Sequence, residues 1–434
     1  MLRAFVNSFK IPDLRAKILF TLFIIAVYRL GSYVPVPVVD IGILADAANA
    51  QGGFLSFIDL FSGGALTRMA VFGLGIMPYI TASIIMQLLT VVIPKLERWQ
   101  KEGEQGTKKI NQATRYVTVV LAILQSTGLV FLFNSADPNS GLGVGQSIFP
   151  AGTFTAPNIA LIVLVMTAGT AMIMWMGELI TQRGIGNGMS ILIFASVISG
   201  IPAQGRAILL TGGTARFITI LVIGVGIIVA VIFIEQGQRR IPVQYAKRVV
   251  GRRMTSGGST YIPLKVNQSG VIPIIFASSI LYFPTLLTSV YHANWFQNVV
   301  NNYIINQRSL AYMAIYGLLV IFFAYFYTAI AFNPVDTADN LRKYGGFVPG
   351  IRPGPPTADY LSSVLTRITL PGSLFLAAIA LIPAIFIAYF LPSQALADFP
   401  FGGTTLLITV GVALETMKQL ESQLMMRHYE GFLS

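Results

Sequence analysis

Long apolar runs alternate with short polar segments along this 434-residue chain. Each run approaches about twenty residues, the length that an α-helix needs to cross a bilayer. A membrane-spanning β-strand would instead show about ten residues of alternating polarity. The pattern therefore predicts an all-α polytopic membrane protein with ten spans. Their approximate bounds are 17–34, 73–93, 114–133, 157–177, 188–204, 217–235, 270–290, 310–331, 371–391 and 402–418.

The positions of the basic residues predict the orientation of these spans. With ten spans both termini lie on one side of the membrane, and 24 of the 29 Lys and Arg residues lie on that side. By the positive-inside rule this side is the cytoplasm, and the net charge of +12 is mainly a signal of topology. The first run lacks a small-residue cleavage site and is expected to stay as span 1. The five other basic residues are Arg29, Arg68, Arg206, Arg216 and Arg308.

Two spans carry similar segments. GIMPYITASII, residues 75–85, and GVIPIIFASSI, residues 270–280, share six of eleven positions without gaps. The first lies in span 2 and the second in span 7, so the two copies run in opposite directions. This arrangement predicts two inverted-topology halves of five spans each, 1–205 and 206–434, with the working site between them. The alternative is a chance match between two helix starts.

Isoleucines occupy equivalent positions in the two copies. Ile80 and Ile84 lie one turn apart on one helix face, and Ile275 takes the position that Ile80 has in the first copy. If these faces meet, they form an aliphatic lining that suits neither an ion nor a sugar. The competing interpretation is that they are ordinary core or lipid-facing isoleucines.

The stretch FIDLFSGGALTRMAVFG, residues 57–73, precedes span 2 and is too short to cross the membrane alone. Together with span 2 it is too long for one crossing, which favours a short re-entrant helix buried in the protein. A helix in an external loop is the alternative.

Several kinds of chemistry find no support in the sequence. The chain has no cysteine, only two histidines and no phosphate-binding Gly-rich motif, so neither a metal site, a cofactor nor an enzyme activity is predicted. Acidic residues within spans are sparse and lie near the ends, as Glu178, Glu235 and Glu415 do. Ion-coupled carriers usually keep ionisable groups at the midplane, so this pattern counts against a secondary transporter of a small solute. That class still shares the inverted repeat and stays as the alternative function.

Two long loops lie on the predicted cytoplasmic side, at 236–269 and 333–370. The first is basic and alternating, and it predicts a hairpin with its turn at Gly257 and Gly258. In the second, Arg352 stands between two Pro-containing turns that fix its position. Both loops suggest a partner with a negative surface, although a solvated cluster of topogenic charge would also explain the Lys and Arg residues.

A family resemblance rests on several motifs that follow one another along nearly the whole chain. They are FSGGALTRMAVFGLGIMPYITASIIMQLL, KKINQATRYVT, RGIGNGMSILIF, RRIPVQYAKR, STYIPLKVNQSGVIPIIFASSI, FNPVDTADNLRKYGGFVPGIRPG and FGGTTLLI. In these the chain resembles the bacterial SecY family, the large subunit of the Sec protein-translocation channel. The resemblance implies an hourglass channel with a plug on the outer side and a lateral gate between the second and third and the seventh and eighth helices.

The resemblance also implies roles for particular residues. The pore constriction falls on Ile80, Ile84, Met189, Ile193, Ile275 and Ile408, with Met189 where an isoleucine is expected. The plug corresponds to a part of 57–72, namely Phe61, Ser62, Gly63, Gly64, Ala65, Leu66, Thr67, Arg68, Met69, Ala70 and Val71. Gln87 and Ser278 border the lateral gate. The residues expected to dock a cytoplasmic partner are Arg240, Lys247, Arg248, Arg252, Arg253 and Arg352.

The function implied is a passive protein-conducting channel of the bacterial inner membrane. It passes unfolded secretory chains and releases apolar segments, such as signal peptides and membrane spans, sideways into the lipid bilayer. The expected partners are the small membrane subunits SecE and SecG, and either the SecA motor ATPase or a translating ribosome, because the chain has no nucleotide motif of its own.

Overall fold

The structure is a computed structural model that describes most of the chain. The described residues are 9, 11–39, 62–134, 149–150, 152–245, 248–250, 253–255, 259–288, 294–305, 309–390 and 403–430.

Helices make up most of the described chain, which confirms the all-α polytopic fold class. In chain order they are α1 Pro12–Gly31, α2 Met77–Val92, α3 Pro94–Lys101, α4 Glu104–Asn134, α5 Ala156–Arg183, α6 Gly188–Gln236, α7 Ile272–Thr288, α8 Asn294–Val300, α9 Leu310–Ala331, α10 Pro334–Lys343, α11 Pro355–Phe390 and α12 Gly403–Glu430. A π-helical turn, Asn301–Ile305, follows α8.

Each of the ten predicted spans overlaps one of these helices, and spans 5 and 6 overlap the same one. Within the described residues, five helices are long and apolar enough to cross a membrane by themselves, or six when the bent pair α2 and α3 is taken as one span. The apolar stretches Gly188–Pro202 and Ile272–Leu281 are shorter. The full count of ten spans therefore stays a prediction.

Spans 5 and 6 lie on one long element, α6. Its backbone is helical except at Gly213, where φ is +73° and ψ is 169° and the helix kinks. The predicted boundary between the halves, 205/206, falls inside helical residues before this kink. The division into 1–205 and 206–434 stays a prediction.

A bend of 100° separates α2 from α3. Ile93 is extended there, and Pro94 begins the next helix because its ring fixes φ and its nitrogen has no hydrogen to donate to the preceding turn. α2 also contacts α7, so the two helices that carry the repeated segments meet.

A small sheet joins the two long loops. Strands β1 Gln238–Tyr245 and β4 Ser259–Lys265 pair antiparallel, as predicted for the hairpin in 236–269. β5 Gly346–Phe347 from the second loop adds to β1, and β2 Arg248–Val250 pairs with β3 Arg253–Thr255. Gly257 and Gly258 lie outside the described residues. An apolar cluster beneath the sheet, including Ile241, Val243 and Leu361, fixes both loops to α11.

Candidate functional site

One cavity of about 290 Å³ lies where α2, α6, α7 and α12 converge. All six side chains that were expected at a constriction line it: Ile80, Ile84, Met189, Ile193, Ile275 and Ile408. These residues are far apart in the chain, and the fold brings them together around one space.

The helix starts place these side chains. Pro78 stands in the first turn of α2, where a proline is tolerated. Ile80 and Ile84 lie one turn apart on this helix and both line the cavity. The side chain of Asn187 caps α6 by accepting a hydrogen bond from the backbone N–H of Met189, at 3.1 Å. Ile193 follows one turn later.

Of the six expected side chains, Ile80 is half-buried and the other five are buried. Met189 is 8% exposed, Ile193 7%, Ile275 7% and Ile408 1%. The thioether of Met189 packs against Gly177 of α5, where a Cβ atom would lie 2.5 Å from the sulfur. A flexible methionine thus fills the place of the expected isoleucine by reaching onto a neighbouring helix.

The structure adds lining residues that the sequence analysis missed. Val271 lies one turn before Ile275, and Val412 lies one turn after Ile408. The spacing of four residues, already used for Ile80 and Ile84, would have identified both. Polar groups share the cavity as well: Tyr79, Ser83, Gln87, Asn187, Ser190 and Tyr327.

We call residues 62–72 the plug segment. Phe61 and residues 57–60 lie outside the described residues, and from Gly63 to Ile76 the chain forms turns rather than a regular helix. Gly63 and Gly64 have φ of +66° and +86°, in the left-handed region that glycine adopts without steric cost, and they interrupt helical geometry.

The plug segment is attached to the chain that follows α1. The backbone N–H of Val36 donates to the carbonyl of Met69 at 2.8 Å, and that of Val71 donates to the carbonyl of Val34 at 2.9 Å. These two bonds form an isolated antiparallel bridge between Pro35 and Ala70.

Two apolar surfaces hold the plug segment in place. Ala65, Ala70 and Phe72 belong to the same buried cluster as Met189, Ile193, Ile275 and Ile408. On its other side, Leu66 and Met69 pack in a cluster with residues of α4 and α5. Thr67 is half-buried and Arg68 is exposed, with its guanidinium carbon 4.2 Å from the centroid of the Tyr33 ring. The plug segment therefore packs beside the cavity lining.

The two residues expected at a lateral gate occupy different surroundings. Gln87 lines the cavity from α2. Ser278 of α7 is buried, and its hydroxyl donates to the carbonyl of Ile274 at 2.6 Å within the same helix. Gln87 thus faces the cavity, whereas the Ser278 hydroxyl bonds within its own helix.

The basic residues of the loops are partly described. Arg240 is exposed on β1, and Arg352 is exposed just before α11. The hydroxyl of Thr357 donates to the Arg352 carbonyl at 2.9 Å, which fixes the turn. Arg248 and Arg253 lie on the paired strands β2 and β3, whereas Lys247 and Arg252 lie outside the described residues.

Two of the three acidic groups near span ends have polar partners. Glu178 accepts two hydrogen bonds from the guanidinium of Arg115, at 2.6 and 2.5 Å, across α4 and α5. Glu235 accepts from the side-chain amide of Asn267 at 2.6 Å. Within the described part of the chain, no three His, Cys, Asp or Glu side chains group as metal ligands. These carboxylates thus serve contacts between elements.

The fold and the site define a class: a polytopic helical membrane protein with a cavity where four helices converge and a buried segment packed beside the cavity's apolar lining. The family model for SecY matches residues 70–417. The protein translocase subunit SecY of Streptomyces coelicolor is 54% identical, and the match covers 100% of both chains. The chain belongs to the SecY family, which confirms the resemblance seen in the sequence.

Solved structures share the fold. A structure described as that of a protein conducting channel matches with a TM-score of 0.63 at 17% identity and covers 96% of each chain. Sec61 in the canine ribosome-channel complex from the endoplasmic reticulum matches with a TM-score of 0.58 at 16% identity, again over 96% of each chain. At these identities the likeness establishes the fold.

Proposed function

We propose that the chain forms the protein-conducting pore of a translocase. Its membership of the SecY family and the full-length match to a translocase subunit support this function over the transport of a small solute. The observation that carries the pore assignment is the convergence of six predicted side chains from four helices around one cavity.

An aliphatic constriction suits a substrate of variable sequence. Fixed hydrogen-bonding groups at the narrowest point would bind some segments of a passing chain and stall them. Ile and Met side chains exclude water from a narrow passage when it is empty, and they deform around whatever enters. The constriction thus admits unfolded polypeptide while resisting ions.

The plug segment supplies the second barrier. It packs in the same apolar cluster as four of the constriction side chains. A chain that passes the constriction must displace it. We propose that displacement of residues 62–72 accompanies opening.

Sideways release follows from transfer free energies. Each Leu or Ile gains about 0.3–0.6 kcal/mol on entering the bilayer, so an apolar segment of about twenty residues gains on the order of 5–10 kcal/mol. The contact between α2 and α7 is the proposed exit, and Gln87 of α2 lines the cavity. Separation of these two helices would let partitioning alone select membrane spans and signal peptides.

The driving force comes from partners in this proposal. The Sec61 neighbour was solved in a ribosome-channel complex. By analogy, a translating ribosome or the SecA ATPase would dock on the basic loops around Arg240 and Arg352, with SecE and SecG as small membrane subunits. The chain would then be a passive subunit of a bacterial inner-membrane translocase, with both termini in the cytoplasm.

Site-specific crosslinking tests the pore assignment. A photoreactive residue is placed at Ile80 or Ile275, and a secretory chain is arrested during translocation. We expect crosslinks from both positions. A matched probe at Val222 of α6, which is 63% exposed on the outer surface of the helix, should give none. Equal crosslinking at all three positions contradicts the proposal.

A further inference from the structure

Arg29 lies in the last turn of α1, and its side chain is half-buried. The sequence analysis placed it among the five basic residues away from the predicted cytoplasmic side. A guanidinium is costly to hold at membrane depth unless it has partners that satisfy its five N–H donors. The pore mechanism described above gives it no role.

The guanidinium of Arg29 joins the plug segment to the wall of the cavity. Its Nη1 donates to the carbonyl of Gly63 at 3.0 Å. Its Nη2 donates to the carbonyls of Ala195 and Ser196, at 2.5 and 3.2 Å, and to the hydroxyl of Ser199. One side chain from α1 therefore binds the start of the plug segment and three groups within one turn of α6.

Tyr28, the residue before Arg29, also links the plug segment to α6. The hydroxyl of Tyr28 lies 2.6 Å from Oγ of Ser196 and 3.4 Å from the carbonyl oxygen of Ser62. The Tyr28 ring stacks on Phe72 at the end of the plug segment, with the ring centroids 5.8 Å apart. Both ends of the plug segment thus contact α1.

The glycine at position 63 lets the Arg29 guanidinium come close to the plug backbone. Gly63 adopts φ of +66°, and a Cβ atom there would lie 2.6 Å from Nη1 of Arg29. A side chain at position 63 would block the bond between the guanidinium and the plug carbonyl. The bound stretch of α6 begins two residues after Ile193, which lines the cavity, so the connection lies on the same helix as part of the lining.

Opening of the pore would affect the hydrogen bonds of the Arg29 guanidinium differently. The bonds from Nη2 join two helices of the same predicted half and can persist while the plug segment moves. The bond from Nη1 to Gly63 must break when the plug segment leaves. A hydrogen bond donated by a charged group is stronger than a neutral one, and burial reduces competition from water.

We infer that Arg29 is a positioning residue that latches the plug segment to α6 and so sets how often the unoccupied pore opens. This inference rests on the proposed function. The bonds from Nη2 hold the guanidinium on α6, and opening breaks the bond from Nη1 to the Gly63 carbonyl. Removal of the guanidinium should raise the population with a displaced plug about tenfold, the effect expected for losing one charge-assisted hydrogen bond.

Thiol labelling tests the latch directly, because the chain has no cysteine of its own. Ala65→Cys places a small thiol in the plug segment at a site that is 0% exposed. The full chain, assembled with its membrane subunits in vesicles, is treated with a water-soluble maleimide. We expect Arg29→Gln to raise the labelling rate about tenfold. The same variant should raise resting ion conductance in planar bilayers.

Arg68→Gln is the matched control. It removes the same charge from the plug segment itself, but Arg68 is exposed over Tyr33 and makes no described contact with α6. Its labelling rate should stay within about twofold of the parent. An equal increase in both variants overturns the latch, because it would assign the effect to net charge. An unchanged rate in Arg29→Gln overturns it as well.

Two milder variants keep the test decisive if Arg29→Gln fails to assemble. Ser199→Ala removes one acceptor of the guanidinium, and Arg29→Lys keeps the charge but cannot reach both sides with its single nitrogen. Both should label at rates between those of the parent and Arg29→Gln, and parental rates in both contradict the inference.

Labelling reports the position of the plug segment whether or not protein is conducted. Crosslinking at Ile80 reports whether a chain passes the pore. The latch and the proposed function can therefore fail separately.

Discussion

Gly169 of α5 and the carbonyl oxygen of Val71 are so close that a Cβ atom on the glycine would lie 2.0 Å from that oxygen. The plug segment therefore rests directly on the backbone of a membrane helix. A contact of this kind cannot adjust by rotating a side chain. Any group added at position 169 must move the plug segment or α5.

Gly169→Ala should displace the plug segment. Alanine normally stabilises a helix interior by about 0.5–1 kcal/mol relative to glycine. Here we expect the overpacking cost of about 1–3 kcal/mol to exceed that gain. The resting ion conductance of the reconstituted channel should rise, and planar-bilayer recording would measure it.

Gly226→Ala is the control for that prediction. Gly226 lies on α6 with no atom within 4 Å of a built Cβ. This variant should conduct as the parent does. If Gly169→Ala also behaves as the parent, the plug segment does not seal the pore in the way we propose.

Polar side chains in the constriction should raise ion leak. Ile80→Asn, Ile84→Asn and Ile275→Asn put hydrogen-bonding groups among the aliphatic side chains that we propose to keep water out of the narrowest part of the cavity. We expect a stepwise increase in resting conductance as one, two and three substitutions are combined. The corresponding Ile→Leu variants conserve volume and polarity and should stay near the parental value. A parental conductance in the triple Asn variant would remove these residues from the constriction.

The sequence predicted the residues of the site better than it predicted the local backbone structure. Helical periodicity and the repeated segment pointed to Ile80, Ile84 and Ile275 before any family was considered. The family resemblance added Met189, Ile193 and Ile408. Apolar side chains that recur at every turn along one helix face can be recognised in the sequence by their spacing. Val271 and Val412 have this spacing from Ile275 and Ile408, so they could have been predicted too.

Other features depend on contacts between distant parts of the chain. The plug segment is a series of turns held by Val34 and Val36, and no local pattern in 57–73 encodes that partner. The bonds from Arg29 to α6 join residues more than 160 positions apart. A basic residue at a span end indicates orientation in the sequence, but its hydrogen-bond partners emerge only from the fold.

Charge reversal at Arg352 should weaken partner docking. Arg352 is exposed in a turn fixed by Thr357, so Arg352→Glu changes charge with little effect on packing. We expect slower translocation into reconstituted vesicles, with assembly and membrane insertion of the subunit unchanged. Arg342→Glu, at an exposed position on α10, is the matched control. Equal slowing by both variants would indicate general electrostatics, and parental transport in Arg352→Glu would argue against docking at this residue.

A reversible disulfide crosslink can show whether the plug segment must move during translocation. Pro35 and Ala70 form the antiparallel bridge, and the bonds that flank them mark a pair whose Cα atoms in such ladders are about 4.5 Å apart. That spacing lies within the range that a disulfide spans.

Pro35→Cys combined with Ala70→Cys should therefore crosslink under oxidation. Because the chain has no other cysteine, the disulfide fixes the plug segment to the strand after α1 alone. We expect oxidation to abolish nearly all translocation of a secretory chain, and reduction to restore it. Each single cysteine variant should be insensitive to oxidant. Full transport through the crosslinked protein would mean that chains pass without displacing the plug segment, and the second barrier we propose would not exist.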